Sequence, residues 1–364
     1  MKIALLGDIM PGGILPYLNS ERLDSGVKMF LQGHDLRVGT LECAIGEGIS
    51  FDNAKMHDRM NIIYAPETSS RLLTEMDVNV VSLANNHIFD LGISGFENTV
   101  KILRKYGIKY CGAGRNLDEA RRPALIELNG VKIAFLSYCS YDRAQVAYVP
   151  VATQDSYGIA PLEMDMAIED ITLYKKQNCF VIVLPHWGKE YSNFPLIESY
   201  DIAKRMIDAG ADMVVGCHTH RPQPHIKYNG KSIYFSLGNG FFPDFFINAP
   251  RPIWYPDNNY DIDAIPVTNG YPFPVTTPLK RVWKDSSREG LIVTAHTDKD
   301  KIIDNYRFIR LSHGNKLKFH SDYFLSLKLK VIGWLIPTAI YKEGRYYNGL
   351  KNKIKSLLDF KLKD

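Results

Sequence analysis

At 364 residues and 41.4 kDa, the chain has room for one large or two small domains. With 45% hydrophobic and 23% charged residues it can bury a sizeable core, which excludes disordered, collagen-like and heptad-repeat chains. The net charge of +4 is uneven: nine basic against three acidic residues from Lys328 onward put +6 on the tail and about −2 on the rest, so the body is not a general nucleic-acid binder.

In chain order, short apolar runs rich in Val and Ile end in polar or Gly-containing turns. They lie at 2–8, 36–42, 78–85, 131–138, 180–186, 213–218 and 232–237. Continuous rather than alternating hydrophobicity predicts strands buried on both faces. Helical spacing falls between them at 67–76, 94–106, 163–176 and 196–209; Phe96, Val100 and Leu103 share one face of the second, which Gly107 stops. The class is α/β. Residues 241–287, crowded with Pro, Asn, Asp and aromatics, read as a long ordered loop or insertion. Runs at 290–296 and 306–311 then predict a hairpin completing the sheet. The expected division is one domain over 1–315 and a basic, amphipathic helical tail over 316–364.

Five cysteines, an odd number mostly in strand-like runs, suit reduced buried thiols. The first residues hold too short an apolar stretch for a secretory signal, and no run reaches the roughly 20 apolar residues that span a bilayer. A cytoplasmic location is expected, with peripheral contact at the inner membrane surface as an open reading of the tail.

In open α/β sheets, ligands bind at the carboxyl ends of strands. Here those ends repeatedly carry metal-ligand residue types: Asp8, Glu42, Asn86 with His87, His186, and His218 with His220. Each alone reads as a helix cap, a turn residue or a core histidine; the succession reads as one site. His218 and His220, two apart in an extended segment, are expected to point to the same face and address one place. Imidazole with carboxylate is ligand chemistry for Zn, Mn or Fe. The glycines of GAGRN at 112–116 and of GDIMPGG lack the partners of a dinucleotide or P-loop fingerprint.

This order of motifs resembles the calcineurin-like metallophosphoesterases, and more closely the CapA branch associated with poly-γ-glutamate capsule synthesis. The resemblance rests on GDIM at 7–10, LE at 41–42, ANNHIFDLG at 84–92, HWGKEY at 186–191, GCHTHRPQ at 216–223 and SLGN at 236–239. It implies a four-layer αββα sandwich with one or two divalent ions (Mn, Zn or Fe). Asp8 would bind one ion, Glu42 would bridge two, Asn86, His186 and His218 would complete the second, and His220 would return to the first. His87 would act at the leaving oxygen. The sequence departs from the phosphoesterase pattern at Met10, where a His is usual, and at Glu42, where Asp is usual. A thioether is a poor ligand for hard ions, so the first position is expected to be weaker.

A bound ion would make a hydroxide nucleophile near neutral pH, with His87 as acid. Asp90 and Glu190 are carboxylates that could orient His87 or His186. Arg221 and Gln223 could meet an anionic substrate; Trp187 could stack on one but fits better as a packed wall. The expected function is a metal-dependent hydrolase acting on a phosphoester, amide or ester bond in an anionic surface polymer or its precursor. The alternative is a non-catalytic, metal-binding component of a polymer-synthesis or export complex. For the tail, with its apolar run at 331–340 and basic segment at 348–364, attachment to an anionic membrane and packing on the domain or at a dimer interface both stay open. The sequence leaves oligomeric state unspecified.

Overall fold

Alternation of buried side chains along the first strand sets the architecture. In the computed structural model, which describes residues 1–48, 61–140, 148–250, 252–270, 272 and 274–338, Ile3 and Leu5 join an apolar cluster with Phe135, Ile182, Met213 and Val215 of a second sheet. Ala4 and Leu6 face the other way, toward Val27, Leu31, Phe96, Val100 and Leu103 of two helices. A strand can be apolar at every position only when both faces are covered in this way.

The strands of the two main sheets are β1 (Lys2–Ile9), β2 (Leu36–Leu41), β3 (Val80–Ser82), β4 (Lys109–Cys111), β5 (Ala124–Leu128), β6 (Val131–Cys139), β7 (Phe180–His186), β8 (Met213–Val215), β9 (His225–Tyr228), β10 (Lys231–Tyr234), β11 (Asn239–Phe241), β12 (Glu289–Asp298), β13 (Lys301–Leu311) and β14 (Leu317–His320). The first sheet runs β14-β13-β12-β1-β2-β3-β4, with β11 also paired to β1; the second runs β9-β10-β8-β7-β6-β5. Strands β1 to β4 are mutually parallel, as are β6, β7, β8 and β10. Their carboxyl ends therefore open on the same side within each sheet.

The main helices are α1 (Ser25–Gln32), α2 (Gly92–Lys105), α3 (Met164–Lys176), α4 (Ile197–Asp208) and α5 (Tyr323–Leu335). Ala167 and Ile171 of α3 and Ala203 and Met206 of α4 pack against Ala134, Leu136, Val181 and Val183 of the second sheet. Helix α1 carries no strong signal in its sequence beyond its start, where Asp24 accepts a 2.9 Å hydrogen bond from the Gly26 amide. The hairpin expected after residue 290 is β12–β13, antiparallel and joined to β1. All five cysteines are buried and free.

Within the insertion expected over 241–287, Phe245–Ile247, Ile253–Trp254, Val267–Thr268 and Leu279–Arg281 form a small sheet. A buried ion pair, Arg288 to Asp244 at 2.6 and 2.8 Å, ties it to the body, and Asp244 also accepts from the Trp283 amide. Past residue 315, β14 pairs with β13, and α5 buries Leu329, Ile332 and Leu335. The 348–364 segment lies outside the described residues. Among the described residues no helix is long and apolar enough to cross a membrane.

Gly7 is the tightest backbone crossing beneath the strand ends: a Cβ there would lie 1.8 Å from the Gly238 carbonyl oxygen. Both neighbours are main chain and cannot swing aside. Gly7→Ala should cost at least about 2–3 kcal/mol and displace Asp8 next to it, read as a lowered melting temperature; an unchanged transition would mean that β1 and the Gly238 turn can separate.

Candidate metal centre

Six side chains from both sheets meet at the strand ends. Asp8 lies within β1, in register with Thr40 on one side and Asn239 on the other. Glu42 follows β2, its amide held by the Ile9 carbonyl. Asn86 and His87 follow β3 in a turn set by Asn85, whose amide nitrogen donates to the Leu41 carbonyl at 2.8 Å and whose oxygen accepts from the His87 amide at 2.9 Å. His186 is the last residue of β7.

His218 and His220 correct one expectation. Strand β8 ends at Val215, and both residues sit in the left-handed region, with φ of 96° and 50°. Their rings are brought together by a strained turn rather than by the alternation of an extended segment, and such strain concentrates at functional sites. The turn is pinned by the His218 amide, which donates to Asp8 Oδ2 at 3.0 Å.

The distances define two groups sharing one carboxylate. Glu42, His186 and His218 form the first; Asp8, Glu42 and His220 form the second, each with ligand atoms within 4.8 Å of one another. His186 Nε2 lies 2.9 Å from Asn86 Oδ1, 3.0 Å from His218 Nδ1 and 3.3 Å from Glu42 Oε1. His220 Nδ1 lies 3.9 Å from Asp8 Oδ2 and 3.8 Å from Glu42 Oε2, and 2.9 Å from Asn239 Oδ1.

All of these groups are buried, and burial dictates their ionisation. The Asp8 carboxyl is pushed up to about 7, chiefly by desolvation and against the hydrogen bond from His218. Glu42 is raised well above its usual range by burial and then by the Asp8 charge. Burial drives the imidazoles the opposite way: His186 and His218 are lowered and His220 falls to about 4. Asp8 Oδ1, both Glu42 oxygens and His186 Nδ1 have no hydrogen-bond partner. Lone pairs therefore converge with too few protons between them, an arrangement that fits a divalent cation and that an uncharged core would not tolerate. Three imidazoles and two carboxylates suit Zn, Mn or Fe.

His87 stands beside this cluster, its Nδ1 2.7 Å from Asp90 Oδ2, which also accepts from the Ile63 amide. Asp90 thus orients His87. Glu190 is exposed at the rim and acts on Asp8, Glu42, His218 and His220 only through its charge. Arg221 is half-buried with an unpartnered Nε, and burial lowers its pKa.

Two side chains considered for substrate contact are turned inward. Trp187 is 2% exposed, donates its indole N–H to the Phe235 carbonyl and belongs to the core between the second sheet and its helices, so it is a wall. Gln223 spends its amide N–H groups on the Ser192 and Phe194 carbonyls and holds that loop. Met10 is buried with its sulfur near Gly12.

Sequence reasoning missed Asn239 as a partner of His220, although the SLGN motif at a strand end was its signal. It also missed the aromatic wall around His220, where ring centroids lie 5.9 Å away for Tyr191, 5.3 Å for Phe242 and 5.1 Å for Trp283. Trp283 arrives from the far end of the insertion, and no local pattern announces it.

A mixed α/β fold carrying, at its strand ends, a buried cluster of carboxylates and imidazoles placed so that it could hold a cation defines the class. The family described as "Bacterial capsule synthesis protein PGA_cap" matches residues 2–244, and the chain belongs to it. It is 27% identical over 335 residues to the PGA biosynthesis protein CapA of Bacillus subtilis, covering 87% of this chain and 84% of that protein. It is 29% identical over 333 residues to the capsule biosynthesis protein CapA of Bacillus anthracis, covering 85% and 79%. A probable polyglutamine synthesis accessory protein of Mycobacterium tuberculosis is 33% identical over 174 residues, 46% of each chain.

The raised Asp8 carboxyl gives a pH test. Its pKa is about 7 in the fold against 3.8 for an ordinary Asp, so the cost of burying its charge is absent below about pH 4, grows up to pH 7 and is complete above. Chelator-treated Asp8→Asn protein keeps the His218 hydrogen bond without that cost. It should melt a few degrees above chelator-treated wild type at pH 8, with the gap shrinking below pH 7 and closing by about pH 4. A gap independent of pH would mean that Asp8 is not buried as a strained carboxylate.

Proposed function

We propose that this chain is a metal-dependent hydrolase of capsule or poly-γ-glutamate synthesis, acting on a phosphoester, amide or ester bond in an anionic polymer or its precursor. The observation that carries the reading is the pair of ligand groups sharing Glu42 with the Asp90-held His87 beside them. The printed names of the Bacillus relatives support the process.

In this reading Asp8, Glu42 and His220 hold one divalent ion and Glu42, Asn86, His186 and His218 another. When bound, such ions supply Lewis-acid polarisation and lower the pKa of a coordinated water to about 7. Asp90 fixes His87 with Nδ1 turned to the carboxylate, which leaves Nε2 to give a proton to the departing group. Arg221, half-buried and next in the chain to His220, is the cation this reading assigns to the anionic part of the substrate. The layering, helices outside each of two face-to-face sheets, supports the four-layer αββα sandwich that the sequence resemblance implies.

Met10, where a ligand histidine is usual, favours a second reading in which the cluster binds metal without turnover. The two separate on metal content followed by turnover of aryl phosphate, aryl ester and γ-glutamyl anilide with added Mn. His87→Ala should keep its metal and lose about 10²–10⁴ in kcat. Wild type that is metal-loaded yet inert on all three would favour the non-catalytic role.

A further inference from the structure

A third group of ligand-bearing side chains lies away from this centre, where the first sheet meets the C-terminal helix. Glu289 opens β12, His320 closes β14 and Asp322 caps α5, and one ligand atom from each lies within 4.8 Å of the others. Glu289 is 4% exposed. Its Oε1 accepts from Arg310 Nη1 at 2.9 Å and faces His320 Nε2 at 3.6 Å, while its Oε2 is buried without a partner. One oxygen of Asp322 accepts from the Leu325 amide at 2.8 Å and caps the helix.

We propose that Glu289, His320 and Asp322 form a second divalent-cation site that ties the edge of the first sheet to the start of α5. The donor set of one imidazole and two carboxylates suits Zn or Mn. Leaving a carboxylate oxygen buried and unbonded is costly, and a cation answers that need where no donor of the chain does. Arg310 holds Oε1, the oxygen that faces His320, and is itself shared with Asp285 at 2.9 Å, the outer support that ligating carboxylates commonly have; Oε2 is left without a donor. Asp285 also draws in His313 at 3.2 Å, so the neighbourhood carries three carboxylates, two imidazoles and one guanidinium, and it stays net negative while the imidazoles are neutral. Burial, together with the charges of Asp322 and Asp285, lifts the Glu289 carboxyl to about 7.

The test is Zn²⁺ titration of the full chain by calorimetry, with hydrogen exchange of residues 323–335 as a second readout. The background carries Glu42→Ala and His218→Ala, which disable the strand-end centre. That background should still bind one Zn²⁺, and bound Zn²⁺ should slow exchange in α5. Adding His320→Ala should weaken binding at least tenfold. Adding Asp322→Asn should do the same, although Asn keeps the helix cap and so leaves metal-free exchange of α5 unchanged. The proposal is overturned if the background binds no Zn²⁺ at pH 8, or if His320→Ala and Asp322→Asn leave its isotherm unchanged.

Discussion

Two carboxylates share one desolvated space at the strand ends, and the rest of the molecule is arranged around that fact. Asp8 and Glu42 are both fully buried, and each raises the cost of ionising the other. The imidazoles of His186, His218 and His220 bring no compensating charge, because burial keeps them neutral in the metal-free chain. Protons or a cation must therefore supply the balance. Between pH 7 and 8, where Asp8 gives up its proton most readily, the cation has the advantage.

Parallel sheets explain how residues 8 to 220 come to share a point. Parallel pairing sets every carboxyl end of a sheet on one edge, and the apolar cluster of Ile3, Leu5, Phe135 and Ile182 binds the two sheets face to face. The final adjustment is local and strained. Left-handed backbone at His218 and His220, the Asn85 turn before His87 and the close passage of Gly7 beneath Gly238 each fix one part of the cluster. Strain of this kind survives only where surrounding structure enforces it, here through the bond from the His218 amide to Asp8.

The sheet strands and the ligand residues were legible because each leaves a local mark. Buried strands read as apolar runs, and Asp8, Glu42, Asn86, His186, His218 and His220 follow them directly. Edge strands such as β5, β9 and β14 are short and only partly apolar, so periodicity did not reveal them. Trp187 and Gln223 look like site residues by position, but their chemistry is spent inward on the Phe235, Ser192 and Phe194 carbonyls. Trp283 and Asn239 acquire their roles only through contacts made by distant chain. The conformation at His218 and His220 was misread for a related reason: alternation holds while a strand continues, and β8 stops at Val215.

The two ligand groups differ in chemistry: one holds two imidazoles and a carboxylate, the other two carboxylates and an imidazole. On the His186 side, Asn86, His186, His218 and Glu42 offer four donors with one carboxylate among them. On the Asp8 side Asp8, Glu42 and His220 bring two carboxylates, with Asn239 Oδ1 2.9 Å from His220 Nδ1. An ion on the Asp8 side would be held more by charge, one on the His186 side more by imidazole nitrogen. In the proposed hydrolase the shared Glu42 couples the two sides, so that a change in the charge held on one side would be felt on the other.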